Sequence, residues 1–499
     1  MKTIYIFLSL LLFISCKHPY LYQISTRPWL YELTKKYQKP ITKLRDIPLE
    51  EFDILKENGI DIVWMLGVWQ LGEYELNFDR QEPNYSKYSY LLPDFTIDDV
   101  IGSPFAITEY SCNSEFGSDE DLIWLKREIN IRGMKLMLDF VPNHSAVDCD
   151  CANTDPDMYI RAPEGKVDEN RYNENGFAFG SDMGHYPWKD VIQWNYFNPK
   201  TFEAMKNNFK KVLTLADAVR CDVAYLELTD VFEATWKEEL DYYKYTRPEK
   251  EFWTYVIEEA RKINPNAIIL AESYNIEYDN QLIKLGFDYV YNKPLLDNLI
   301  KSSTEVKEYL KSKDTSFLDK TCNFVENHDE KRIVFMVNGN YQKAKAAGTI
   351  SFTVGGMMFA FHGQWEGKKN QLEVHLRRSA DEDVNFEVQN HYNKLNQVLV
   401  NPAFRSSNYY YIDNIYGEKK DDFVAYIREE GENHFLIAVN YSENKGCAYI
   451  PIYNIKGFKY CLLHESLNDV EYVKTMDEVK NGMRVCLDAW ESNIFQYNY

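Results

Sequence analysis

A positive charge excess is missing from this sequence: 56 basic residues face 77 acidic ones, a net charge of −21. That balance repels phosphate backbones and anionic headgroups, so nucleic acid is excluded as a partner and the acid excess serves solubility. Internal repeats and low-complexity tracts are also missing. Solenoids and fibrous arrays are thereby set aside. The cysteines lack metal-binding and redox spacing. Cys149 and Cys151 are separated by one residue, which fits neither a zinc CxxC pair nor a dithiol redox motif, and no second pair with histidines follows. The N-terminal apolar run, Ile4 to Ile14, falls short of the ~20 residues a membrane span needs.

That short run nevertheless has a use. Lys2 precedes it and Ser15-Cys16 follow, giving a charged region, an apolar region and a small residue before cysteine. The arrangement resembles a bacterial lipoprotein signal. Residues 1–15 are expected to be removed and Cys16 to carry a lipid anchor, with the exported chain on the periplasmic or cell-surface side of a bacterial membrane. An ordinary secretory signal is the alternative. Eight further cysteines (Cys112, Cys149, Cys151, Cys221, Cys322, Cys447, Cys461 and Cys486) have no pairing legible in sequence. Disulfides and buried thiols both fit an exported chain.

The 499-residue chain is globular in composition, with 45% hydrophobic and 27% charged residues. From about residue 27 to 395, short apolar runs alternate with amphipathic stretches, the pattern of βα units around a parallel sheet. The expected strands are Trp29–Leu33, Ile60–Leu66, Lys135–Phe140, Ala218–Asp222, Ala267–Ala271, Phe287–Tyr291, Thr321–Val325 and Gly356–Phe361. Eight such units predict an α/β fold, a (β/α)8 TIM barrel. Leu122, Leu125 and Ile129 keep helical spacing within Glu120–Ile131, and Gly133 ends that run. Between Ser145 and Pro199 the periodicity lapses into Asp, Asn, Gly and Tyr, an insertion after the third strand on the catalytic face. After Pro402 strands follow one another without helices (Phe423–Arg428, Phe435–Tyr441, Cys447–Ile452, Lys459–Leu463), which predicts a C-terminal antiparallel β-sandwich. The expected domains are a barrel over 16–399, its insertion over about 145–199, and a sandwich over 400–499.

Four segments place carboxylates at the C-terminal ends of expected strands, where barrel enzymes build their sites. They are Leu138-Asp139-Phe140-Val141-Pro142-Asn143-His144, Val219-Arg220-Cys221-Asp222, Leu270-Ala271-Glu272 and Phe324-Val325-Glu326-Asn327-His328-Asp329. At these residues the chain resembles the α-amylase superfamily, glycoside hydrolase family 13, whose four signature regions occur in this order. The resemblance implies a retaining glycosidase acting on α-glucosidic bonds of malto-oligosaccharides, related α-glucans or α-glucosides. A transglycosidase using the same residues and a non-catalytic sugar-binding lipoprotein are the alternatives.

By that resemblance Asp222 is the nucleophile, Glu272 the general acid/base and Asp329 the third carboxylate. Arg220, His328, His144, Asp139, Phe105 and Asn327 are the expected substrate-binding set. The chemistry needs two carboxyl groups about 5 Å apart, one ionised and one protonated. Arg220, two residues before Asp222 on one strand, shares its face and can keep it ionised. Some of the aromatic residues, 15% of the chain, would serve as platforms for sugar faces.

Departures from the family pattern bear on substrate and metal. Gly102-Ser103-Pro104-Phe105-Ala106-Ile107 stands where many members carry His-Gly-Tyr, and Phe105 is left as the platform. Val223-Ala224-Tyr225-Leu226 replaces the Lys-His pair common after the nucleophile in endo-acting α-amylases. No cofactor is required by this reading. Asn143 matches a calcium ligand of many relatives, which makes it a possible calcium ligand here, but Gln193 stands where those relatives have Asp, and a neutral amide is a weaker hard-cation ligand, so calcium is doubtful. Trp365, after the last barrel strand, could stack on sugar or cap the barrel.

Overall fold

The computed structural model describes residues 18–81, 84–453, 455 and 459–498. The expected leader and Cys16 lie outside them. Eight parallel strands close into a barrel: β1 Tyr20–Ser25, β2 Ile62–Leu66, β3 Lys135–Phe140, β4 Ala218–Cys221, β5 Ile268–Ala271, β6 Tyr289–Tyr291, β7 Thr321–Asn323 and β8 Met357–Phe361. These strands are buried almost throughout, which is why they read as apolar runs rather than alternating ones. The register pairs Asp139 with Arg220 and Arg220 with Leu270, and so aligns the strand ends that carry the site.

The first strand corrects the sequence reading. Trp29–Leu33 lies inside the helix Thr26–Tyr37, and β1 is the preceding Tyr20–Ser25. Trp29, Leu30 and Leu33 bury one helical face, and Pro28 sits in the first turn, where its missing N–H costs nothing. The other seven strands fall within their expected spans. The helix Asp119–Ile131 ends as expected before Gly133, whose φ of +72° suits glycine at the turn into β3.

Two excursions rise from the barrel rim. The expected one follows β3 and holds a three-stranded antiparallel sheet of His144–Ala146, Pro187–Gln193 and Phe179–Ser181. A second, unforeseen one separates β2 from β3. It contains the paired strands Trp69–Leu71 and Ile107–Cys112 and the helices Glu73–Asp79 and Asn84–Leu91. Residues after β8 pack on it: Tyr88, Leu92, Val100 and Leu376 form a small apolar cluster, and Val100 bridges Leu376.

The C-terminal domain comprises β9 Tyr409–Tyr411, β10 Phe423–Glu430, β11 Asn433–Asn440, β12 Gly446–Ile450, β13 Tyr460–Glu465, β14 Val470–Thr475, β15 Met483–Leu487 and β16 Ser492–Asn498. One antiparallel sheet runs β9-β10-β11-β16-β13-β14, and β12 pairs with β15 in the other. The two sheets enclose Phe423, Ala425, Leu436, Ala448, Leu463 and Val485. A disulfide joins Cys447 to Cys486 across β12 and β15, while Cys112, Cys221 and Cys322 are buried thiols.

Candidate active site

Arg220 is the hub of the site. Its side chain points inward from β4 and is fully buried, with its guanidinium over the rings of Trp64, Phe105 and Tyr291. Nη1 donates to Asp222 Oδ1 at 2.6 Å and to Asp139 Oδ1 at 3.4 Å, and Nη2 lies 2.7 Å from Glu272 Oε2. One cation thus faces three carboxylates. Trp64 Nε1 donates to the other oxygen of Asp139 at 2.9 Å, which fixes Asp139 as a brace behind Arg220.

The barrel ladder continues past the strand ends. Asp222 N–H donates to Phe140 O at 2.9 Å, and Glu272 N–H to Cys221 O at 3.0 Å, so both acid residues start from held backbone. Val223 then turns left-handed at φ 35°, ψ 43°, a conformation a β-branched residue rarely adopts. The turn aims its N–H at Glu272 Oε2, 2.7 Å away. Tyr274 Oη donates to Glu272 Oε1, so both carboxyl oxygens are engaged.

Burial, opposed by Arg220 and reinforced by the Asp222 charge, pushes the Glu272 carboxyl up to about 7. Burial also raises Asp222 and Asp139 against the pull of Arg220. Asp329 behaves oppositely. Its side chain is 42% exposed at the mouth, and although partial burial acts to raise it, His328 at 3.0 Å holds it below the ordinary range. His328 is itself held: Gln23 Nε2 donates to its Nδ1 at 2.7 Å, which leaves the Nε2 proton facing Asp329. Phe105 stacks on the His328 ring at 5.4 Å and remains partly exposed.

The arrangement joins an ionisable acid near neutrality, a carboxylate on a fixed cation and an open carboxylate–imidazole pair at the mouth of a parallel barrel. A family model for the α-amylase catalytic domain matches residues 49–399 of this chain. The chain belongs to the α-amylase family.

Curated relatives within the family include Alpha-amylase 3 of Dictyoglomus thermophilum, 24% identical over 64% of this chain and 60% of that protein. A cyclomaltodextrinase of Thermoanaerobacter pseudethanolicus is 20% identical over 70% of this chain and 55% of its own length. The chain therefore matches little more than half the length of these relatives. Among solved structures, a noncanonic maltogenic α-amylase from Thermotoga neapolitana superposes with a TM-score of 0.71 at 18% identity, covering 97% of this chain and 99% of that one. An α-amylase from Geobacillus thermoleovorans, crystallised with acarbose, gives 0.69 at 17%, again covering 97% and 99%.

The family fold brings Asp139, Arg220, Asp222, Glu272, His328, Asp329 and Phe105 to one mouth. Asn327 and His144 are placed differently. Asn327 Oδ1 accepts from the backbone of Asp329 and Glu330, which shapes the turn that presents Asp329. His144 is buried beside Asn143 with its ring edge toward Trp188, and burial drives it down to about 4, so it is neutral. Asn143 is engaged as well: Gln193 Nε2 donates to its carbonyl at 2.8 Å and to its Oδ1 at 3.0 Å. Trp365 is buried against Tyr20 and Tyr22 of β1, with ring centroids 6.4 and 4.6 Å away.

Sequence reading missed Trp64, Gln23, Tyr274 and the Val223 N–H. Trp64 and Gln23 sat inside apolar runs with no polar pattern around them. Tyr274, two residues after Glu272, was within reach of inspection.

Proposed function

We propose that the protein hydrolyses α-glucosidic bonds of malto-oligosaccharides or related α-glucans and α-glucosides with net retention, through a glycosyl–Asp222 intermediate. The observation that carries this reading is the pairing of Asp222 and Glu272 with the two terminal nitrogens of the single Arg220 guanidinium. Two carboxyl groups held so close suit the ~5 Å separation of retaining enzymes. In the first step Asp222 attacks the anomeric carbon while the Glu272 proton passes to the leaving oxygen. In the second, Glu272 takes a proton from water, whose oxygen displaces Asp222 from the sugar. Asp329 and His328 grip sugar hydroxyls, and Phe105 offers its face to the ring.

Calcium does not fit at Asn143, because the Gln193 amide places a donor where a cation needs oxygen acceptors. Cys16 stands four residues before Tyr20, at most about 14 Å of chain from the start of β1. A lipid on Cys16 would hold the N-terminal face of the barrel toward the membrane and the mouth away from it. Labelled palmitate incorporated into the wild type but not into Cys16→Ser tests the anchor.

The test of mechanism is product stereochemistry followed by proton NMR on a panel of α-glucosides, alongside Asp222→Asn. Initial release of the α-anomer and a rate loss of at least about 10⁴-fold in the variant are expected. Initial β-anomer, or an unchanged rate in Asp222→Asn, would refute the assignment. Products longer than the substrate in excess acceptor would transfer the reading to transglycosylation.

A further inference from the structure

Behind the Phe105 loop, acids are buried without matching donors. Glu75 and Asp79 stand one turn apart on the helix Glu73–Asp79 and so share a face. They are 1% and 6% exposed. Glu75 Oε1 accepts from the Ser103 N–H, while its buried Oε2 has no hydrogen-bond partner among the described residues. Asp79 Oδ2 is in the same condition. Asp190, from the insertion after β3, adds a further negative charge beside both.

The facing residue is His375, from the segment after β8. Its Nε2 lies 3.8 Å from Asp79 Oδ2, too far for a hydrogen bond. Its Nδ1 meets Glu373 Oε1 at 2.5 Å, and Lys87 Nζ holds the other Glu373 oxygen at 2.8 Å. A carboxylate on Nδ1 that turns Nε2 toward further carboxylate oxygens, here Asp79 Oδ2, is the orienting arrangement of metal-bound histidines. Glu75, Asp79 and His375 each bring one ligand atom within 4.8 Å of the other two. Bonds of about 2.0–2.2 Å from a central cation span ligand pairs up to ~4 Å apart, so small side-chain rotations close the triad.

We propose that Glu75, Asp79 and His375 bind one divalent transition cation of the zinc type, with Glu373 orienting the histidine. A mixed oxygen and imidazole set favours such an ion over calcium or magnesium, which prefer oxygen shells. The ion neutralises the unpartnered carboxylate oxygens. It also ties together three parts of the rim: Glu75 grips Ser103, two residues before Phe105, and Ile101 N–H donates to His375 O at 2.9 Å. These are positioning residues for the loop that carries Phe105, remote from the reacting atoms.

The test uses untagged full-length protein stripped with chelator, then titrated with Zn²⁺ and followed by metal analysis after gel filtration and by thermal melting. A single retained equivalent with a raised melting temperature is expected. Glu373→Gln should weaken binding about 10–100-fold, and Asp79→Asn or His375→Gln should abolish it. Cobalt substitution should give a visible spectrum without thiolate charge transfer, which separates this site from the cysteines. A stripped wild type that retains no zinc and melts unchanged overturns the proposal, as does undiminished binding in both folded single variants. If the variants do not fold, the wild-type stoichiometry and cobalt spectrum decide alone.

Discussion

Arg220 and Glu272 carry opposite electrostatic problems. Arg220 is a fully buried cation whose cost of burial is offset by the carboxylates and aromatic rings around it. Removing one partner of a buried ion pair costs about 3–5 kcal/mol, because the opposite charges are left uncompensated. Arg220→Ala should therefore lose that much stability in urea titration as well as its activity, and Arg220→Lys should restore part of the stability without the two-armed grip on Asp222 and Glu272. Glu272 must keep its proton to act as an acid. With its carboxyl at about 7, kcat/KM should fall on the alkaline side through that pH. Tyr274 donates to the ionised form and so lowers the Glu272 pKa, and Tyr274→Phe should move the alkaline limb upward. An unmoved limb would remove Tyr274 from this role. The stability consequence has a definite sign. The folded pKa lies above the unfolded one, so Glu272 contributes most below the unfolded value near ~4.3, and that contribution is lost as pH rises through about 7. Glu272→Gln should accordingly melt higher than wild type at about pH 8 and gain little at about pH 4.

At the scale of elements, strand ends decide the geometry. The left-handed Val223 stores about 1–2 kcal/mol of backbone strain and points an N–H at the acid. Gly356, just before β8, shows the same dependence on backbone packing. At φ +69° a Cβ there would press on Thr321 O and lie 2.6 Å from Leu318 O, the chain that leads into β7. Gly356→Ala should cost about 2–4 kcal/mol, from the φ penalty and the overpacking together, read as a lowered urea midpoint. The elements also show where sequence patterns suffice. Lys135–Phe140 and Ala218–Cys221 were legible because apolar runs ended on turn residues and charged site residues. Tyr20–Ser25 was not, since Trp29, Leu30 and Leu33 supplied an equally apolar stretch nearby and only their helical spacing told against a strand.

Over the whole molecule, barrel and sandwich share one apolar core in which Val424, Tyr426, Phe435 and Ile437 join the barrel residues. Tyr426 Oη lies 2.6 Å from Thr353 Oγ1, and Tyr441 Oη donates to Leu299 O. Such a seam couples the two units, so calorimetry should show one unfolding transition, and a chain truncated after Leu399 should aggregate on expression. Two resolved transitions would mean that the sandwich folds independently. The sequence alone determined the strand-end placing of Asp222, Glu272 and Arg220 and seven of the eight barrel strands, because strand-end chemistry and apolar periodicity are local and survive in one dimension. Tertiary structure decided the rest. The brace of Trp64 on Asp139, the Gln193 amide on Asn143 and the meeting of Glu75 and Asp79 with His375 join residues far apart in the chain, and only the closed barrel and its rim bring them within bonding distance.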